Sequence, residues 1–255
     1  MKRSHWMAMF SALALLMVQA MPVAAFEIGA RGLYWFPGFK GDVQVDGAGL
    51  TGSRINLKDE LGIDNKSYPV VEVFGGLGKH NLNLAYTPID NSGSATLSRQ
   101  ITFNGQTYNA NTSVNSDLKL RMLDLEYQYT LLDMENILAG FSLGAIAKIK
   151  YVDGEAKISS IGKETSDTFK LPIPMVGVGA HIGLLLDILE ARAKVTGIAY
   201  SNSYLYEGMA DLSYTPFPFL DIHAGYKLMR VHYDRDDTFL DAEFAGPYVG
   251  LTVSF

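Results

Sequence analysis

The sequence predicts an all-β fold, a transmembrane antiparallel up-and-down barrel of about ten strands, with eight or twelve also compatible with the pattern. Three observations predict it. The chain opens on an export leader, its apolar residues occupy alternate positions over many segments, and it closes on an amphipathic strand, 246–255, whose last residue is aromatic.

The leader has a basic head of Lys2, Arg3 and His5, an apolar stretch from Met7 to Ala20 broken by Ser11 and Gln19, and small residues Val23, Ala24 and Ala25 before Phe26. This is the pattern of a cleaved signal peptide. An uncleaved membrane helix needs about 20 apolar residues, and this stretch is shorter and stops at Pro22. The expected division is therefore a signal peptide over 1–25 and one barrel domain over 26–255.

Without Lys2 and Arg3 the 21 basic residues become 19 against 27 acidic ones, a net charge of −8, which argues against nucleic acid as a partner. The chain has no cysteine, so neither disulfides nor thiolate metal sites hold it together. Cohesion must come from burial and backbone hydrogen bonds.

Period-two alternation marks ten strands, at 26–36, 68–78, 80–91, 117–130, 137–151, 171–186, 189–200, 204–215, 219–233 and 244–255. Short connections (78–80, 131–136, 187–188 and 215–218) alternate with long polar ones (37–67, 92–116, 152–170 and 234–243), Ser201-Asn202-Ser203 being a brief exception on the long side. Short periplasmic turns and long extracellular loops are the pattern of bacterial outer-membrane barrels. In the second long loop Asn104-Gly105 suits a two-residue hairpin turn, predicting a projecting hairpin of 96–103 and 106–114. In the first, Leu57 to Gly62 predicts one helical turn closed by glycine.

Sorting each strand by parity gives an outward row free of charge, including Val71, Val73, Leu82, Leu84, Leu123, Leu125, Ile149, Val176, Val178, Val195, Leu212 and Ile222. Tyr34, Trp35, Tyr86, Tyr151, Tyr200, Tyr204 and Tyr206 sit near outer strand ends, and Tyr127, Tyr129, Tyr214 and Phe255 near inner ends. These are two interfacial girdles. A soluble sandwich would turn the polar rows to water and bring the apolar rows together, but it does not call for girdles. Each unpaired backbone group in hydrocarbon costs several kcal/mol, so sheets in lipid must close. Pro172, Pro174 and Pro247 cannot donate to a ladder and are expected near the outer rim or at bulges. The change of apolar parity from Leu118, Leu120 and Met122 to Leu123 and Leu125 predicts a bulge near Met122.

The leader, the ten alternating segments and the terminal Val253-Ser254-Phe255 resemble Gram-negative outer-membrane β-barrel proteins. The resemblance implies residence in the bacterial outer membrane, contact with its lipids and lipopolysaccharide, and recognition of the aromatic-ended last strand by the barrel-assembly machinery, with Phe255 as the signal. It is architectural and brings no functional motif.

The opposite rows hold Glu27, Arg31, Glu72, Asp124, Glu126, Lys148, Lys150, Glu190, Arg192, Lys194, Glu207, Asp211, Asp221, His223 and Lys227. Buried charges are costly unless matched, and ten strands is near the size at which side chains fill the barrel. The expected lumen is an ion-pair network. Gly140, Gly144, Gly177, Gly179 and Gly250 on the same rows either relieve crowding or leave a narrow water path.

Three motifs point elsewhere. Gly140-Phe141-Ser142-Leu143-Gly144 has the spacing of a nucleophile elbow but runs through a strand, without the strand-to-helix turn that motif requires. Asp221-Ile222-His223 sets a carboxylate and an imidazole on one face, as in omptin-type outer-membrane proteases, which place such a pair at the extracellular rim; here it follows a periplasmic turn, and His223 reads as a luminal partner for acids. At the outer rim His232, Asp234 and Asp236 form the one cluster suited to hydrolytic or metal chemistry, although the spacing matches no compact calcium loop. The functional expectation is a monomeric, non-enzymatic surface or envelope protein, without cofactor or metal. The alternatives are a narrow channel for small solutes and a rim hydrolase.

Overall fold

The structure, a computed structural model, describes residues 26–134, 140–184, 188–235 and 237–255. The predicted leader falls outside the described residues, as do Ala139, Asp187 and Asp236. Fourteen strands are described: β1 (Phe26–Trp35), β2 (Gly38–Val45), β3 (Ile55–Asn56), β4 (Tyr68–Leu77), β5 (His80–Thr96), β6 (Ile101–Phe103), β7 (Gln106–Tyr108), β8 (Ser113–Met134), β9 (Phe141–Ser160), β10 (Lys163–Leu184), β11 (Leu189–Tyr200), β12 (Ser203–Phe217), β13 (Leu220–Arg235) and β14 (Thr238–Ser254).

Ten of them close an antiparallel barrel in the order β1-β4-β5-β8-β9-β10-β11-β12-β13-β14, with β14 returning to β1. The seam is paired to the last residue, since Ile28 N donates to Phe255 O at 3.0 Å and Phe255 N to Ile28 O at 2.8 Å. These ten are the strands that the alternation predicts. The predicted apolar row faces outward, with Val71, Leu82, Leu125, Ile149, Val178, Val195 and Leu212 all exposed on the wall. Tyr34, Tyr86, Tyr151, Tyr200 and Tyr206 are exposed at one level, and Tyr127, Tyr129, Tyr214 and Phe255 at the other.

Two predicted loops are largely strand. β9 and β10 continue through 152–170 to a turn at Ile161 and Gly162, and β13 and β14 run through most of 234–243. In 152–158 the alternation persists with inverted parity, because Val152 and Ile158 turn inward to an apolar plug while Asp153, Glu155 and Lys157 turn outward; in 163–168 both faces are polar and only the backbone ladder remains. Nor is there a bulge near Met122: β8 pairs in unbroken register with β5 and β9 there, and its irregularity lies between Thr130 and Leu132. Leu118, Leu120 and Met122 keep the inward parity of Asp124 and Glu126, because the interior itself changes from polar to apolar at that height.

Apolar segments of the first two loops fill the outer half. The β6–β7 hairpin turns about Asn104-Gly105 as predicted, but it folds inward instead of projecting: Ile101, Phe103 and Tyr108 are buried, and Tyr108 Oη donates to Ile158 O at 3.0 Å. Ile55, Leu57, Leu61 and Ile63 from the first loop join them against Phe39, Val70, Met122, Val152, Met229 and Phe244. The predicted turn is present: Asn56 Oδ1 accepts from Lys58 N and Asp59 N, and Gly62, at φ +67°, donates to Lys58 O at 3.0 Å. Trp35 belongs to this plug and not to the outer girdle. It is fully buried, and its indole N–H donates to Gly246 O at 3.2 Å. Its place at the end of β1 gives it inward parity, which overrides the preference of tryptophan for an interface.

The chain breaks from β1 at Phe36 and Pro37 and resumes as β2 on the outer part of β14. Phe36 O packs so close to Gly246 that a methyl group there would lie 2.1 Å from it. Pro247 follows at this junction. Pro172 and Pro174 lie above Val176, where β11 no longer pairs with β10, so no ladder donor is lost.

Candidate functional site: the charged lumen

Below the apolar plug the inward rows carry the charges, and register puts several opposite a partner. On β8 and β9 Asp124 faces Lys150 and Glu126 faces Lys148; Arg31 faces Glu72 across β1 and β4, and Arg192 faces Asp211 across β11 and β12. Closure of the barrel then adds Glu207 from the far wall. Lys150 Nζ lies 2.6 Å from Asp124 and 3.0 Å from Glu207, and Lys148 contacts Glu207 and lies 3.2 Å from Asp124. Two ammonium and two carboxylate groups thus form a neutral ring, with Lys150 1% exposed. Such burial is tolerable only because each charge meets two of the opposite sign.

Around this ring, Lys194 reaches Glu126 at 2.8 Å and Arg31 reaches Glu72 at 3.0 Å. Toward the periplasm His181 meets Glu190 at 3.3 Å. Arg192, His223 and Tyr248 converge on Asp211, with His223 Nδ1 3.0 Å from Asp211 Oδ1 and Tyr248 Oη donating to Oδ2 at 2.7 Å. In all, twelve of the fifteen predicted residues are ion-paired. The other three differ from expectation. Glu27 is exposed at the periplasmic end, Asp221 accepts from Thr215 Oγ1 at 2.6 Å, and Lys227 has no carboxylate within 4 Å among the described residues. Lys227 lies over the Trp35 ring at 5.1 Å, a cation–π contact at the junction of the polar and apolar layers.

His223 Nε2 lies 2.7 Å from Thr252 Oγ1, completing a carboxylate–imidazole–hydroxyl chain from Asp211. The order is that of a nucleophilic triad, but Thr252 is buried and its oxygen also accepts from Arg31 Nε at 2.9 Å. The chain therefore locks β14 to β13 and β1. Thr252 and Tyr248 have inward parity on β14, but the signal in that strand is carried by its outward apolar members Val249, Leu251 and Val253, and nothing in the sequence marks the inward neighbours as partners of Asp211 and His223.

The space left in the ring is a cavity of about 30 Å³ lined by Glu72, Glu126, Lys148, Lys194, Glu207 and Lys227, room for one water. Four of the five predicted luminal glycines relieve crowding, a methyl group lying 2.6 Å from Gln128 at Gly144, 2.0 Å from Val195 O at Gly177, 3.0 Å from Gln128 at Gly179 and 2.3 Å from Leu33 at Gly250; Gly140 instead lies in the turn before β9, at φ +69°. At the rim His232 pairs with Asp241 at 3.0 Å and stacks on Tyr204, while Asp234 stands apart and exposed. Over the loops, Arg99 Nε donates to Glu60 at 2.7 Å. Burial works against the charged form of Glu60, but Arg99 and the Asn56 N–H outweigh it and hold the carboxyl below its ordinary range.

A closed antiparallel barrel with an apolar exterior, aromatic girdles and a charged lumen is the architecture of Gram-negative outer-membrane β-barrel proteins. Solved structures with this architecture match the chain. The outer-membrane protease OmpT from Escherichia coli aligns with a TM-score of 0.63 at 12% identity, over 90% of this chain and 97% of that one. The translocator domain of the autotransporter NalP from Neisseria meningitidis aligns at 0.44 and 9% identity, over 99% and 97%. Ail, the attachment invasion locus protein of Yersinia pestis, aligns at 0.38 and 13%, over 90% and 99%. No family model and no curated protein matches the chain. At 12% identity the likeness to OmpT carries the fold and not an activity.

Proposed function

We propose that this is a non-enzymatic, non-conducting outer-membrane protein whose filled barrel is a rigid mount for its extracellular strands and loops, serving surface interaction or envelope integrity. The observation that carries the reading is the double closure of the lumen, by the Asp124–Lys148–Lys150–Glu207 ring below and the Trp35–Phe103–Phe244 plug above. Side chains buried at two levels, with room for about one water in the ring, support a barrel that does not conduct. The mature chain, freed of 1–25, works as a monomer among outer-membrane lipids and lipopolysaccharide and has no nucleic-acid partner. Phe255, exposed and stacked on Phe219 at 5.5 Å, is its signal to the barrel-assembly machinery.

Planar-bilayer recording of the refolded protein tests this. A silent membrane is expected; sustained single-channel steps would replace it with the narrow-channel reading. Should the purified protein hydrolyse lipid or peptide, and alanine at His232, Asp234 and Asp236 abolish that activity, the rim-hydrolase reading would take its place.

A further inference from the structure

Among the described residues the barrel leaves one long strand edge open. β10 pairs with β9 along its length, but with β11 only from Val176 inward; β11 leaves with β12 and turns back at Ser201 and Asn202. Residues 163–175 therefore have a ladder on one side only. The comparable edge of β5 is covered by the chain itself, through the Ile63–Gly93 bridge and the bond from Lys66 Nζ to Asp90 O at 3.2 Å. The missing neighbour shows in the side chains: Leu171 is 45% exposed, while Val152, its register partner on β9, is 8% exposed.

Register says which groups are free. Ser160 and Lys163 close the two-residue turn, so this pair exchanges hydrogen bonds and the odd-numbered residues of β10 turn their backbone to β9. Even-numbered residues turn theirs to the open side. Pro172 and Pro174 are both even, which blunts the lower part of the edge. Glu164, Ser166, Thr168 and Lys170 are not blunted. One polar group already reaches this row: Asn104 Nδ2, a primary amide, lies 3.3 Å from Ser166 O. Tyr151 of the outer girdle pairs with Pro172, so 163–171 stand outside the membrane.

We propose that the extracellular edge of β10, from Lys163 to Leu171, binds an extended, proline-free peptide segment as an added antiparallel strand. This deepens the surface-interaction reading and rests on it. Nine residues at about 3.4 Å each give an edge roughly 30 Å long. Main-chain bonds supply affinity, and alternate side chains supply selectivity. The inner row of the edge offers Leu171, beside Phe169 packed on the plug, to apolar side chains and Asp167 to a cation; on the outer row Glu164 is paired with Lys157 at 2.8 Å and Lys170 with Asp153 at 3.7 Å, exposed pairs that a peptide's own charges can join. A second copy in the same membrane does not fit. Barrel strands tilt by about 35–45°, so a two-fold axis along the membrane normal crosses the two edges at roughly 70–90°.

The probe is a dye-labelled peptide, Val-Glu-Val-Thr-Lys-Thr-Val-Lys-Thr, titrated onto the refolded mature barrel. Saturable binding is expected. The Glu164, Ser166, Thr168 and Lys170 amides should exchange with deuterium faster than their odd-numbered neighbours in the free protein, and slow when the peptide is added. Thr168→Pro should weaken binding roughly tenfold or more, whereas Thr168→Ala, which keeps the N–H, should bind as the parent does. An unchanged gel-mobility shift on boiling shows that both variants fold. No binding, equal protection of odd and even amides in the free barrel, or binding that survives Thr168→Pro overturns the proposal. The bilayer recording is independent: conductance steps sink the closed-barrel reading, while failure at the edge with a silent bilayer sinks only the peptide site.

Discussion

Replacing Lys150 with methionine tests whether the luminal ring is held by charge matching. Its Nζ serves Asp124 at 2.6 Å and Glu207 at 3.0 Å, both almost wholly buried, so the change leaves two carboxylates to Lys148 alone. One uncompensated charge in the interior costs about 3–5 kcal/mol, roughly a hundredfold to a few thousandfold in the folding equilibrium. Adding Asp124→Leu removes the stranded charge and leaves the Lys148–Glu207 pair intact. The double variant should then lose only about 0–2 kcal/mol, although each single change is costly. Urea unfolding in lipid vesicles reads these values from Trp35, the single tryptophan of a chain beginning at Phe26. Single costs below about 1 kcal/mol, or costs that add in the double-mutant cycle, would refute the argument.

Other outcomes follow from particular contacts. Gly177→Ala sets a methyl group against Val195 O and should destabilise the barrel by about 1–3 kcal/mol, whereas Gly208→Ala, whose nearest neighbour is 3.8 Å away, should be close to neutral in the same unfolding assay. Because Arg99 and Asn56 hold the Glu60 carboxyl low, the support that Glu60 lends its turn is complete above the ordinary glutamate value of about 4.3 and disappears as pH falls through the lower folded value. Amide exchange across 56–62 should therefore quicken in acid in the parent, and less so in Arg99→Ala, where only the Asn56 N–H still holds the carboxylate. The effect is below about 1 kcal/mol, since Arg99 is half exposed. Lys227→Met removes no ion pair, so it should cost much less than Lys150→Met and shift Trp35 emission by loss of the ring contact.

Side-chain alternation is a property of each strand against its surroundings, and so the ten barrel strands, the lipid-facing row and most of the girdle tyrosines could be read from the chain. The predicted 189–200 strand coincides with β11 at both ends. In 163–168 both faces are polar, and in 152–158 the apolar residues move to the inward row that faces the plug, so neither segment continues the lipid-facing pattern. At Met122 both faces are apolar, so inward burial imitates a change of parity. The fifteen candidate luminal residues were legible as inward, but not their partners.

Those partners are set by closure. Asp124 and Lys150 meet because neighbouring strands share a register, a nearly local fact; Glu207 joins them only because β12 returns to face β9 across the lumen. No periodicity along the chain encodes a distance across a barrel. The loop segments around Ile55 and Ile101 carry apolar residues with nothing nearby in sequence to cover them, and only the finished cylinder supplies the mouth they fill. The open edge of β10 is the same kind of fact, since whether a strand has a neighbour depends on where the next one turns.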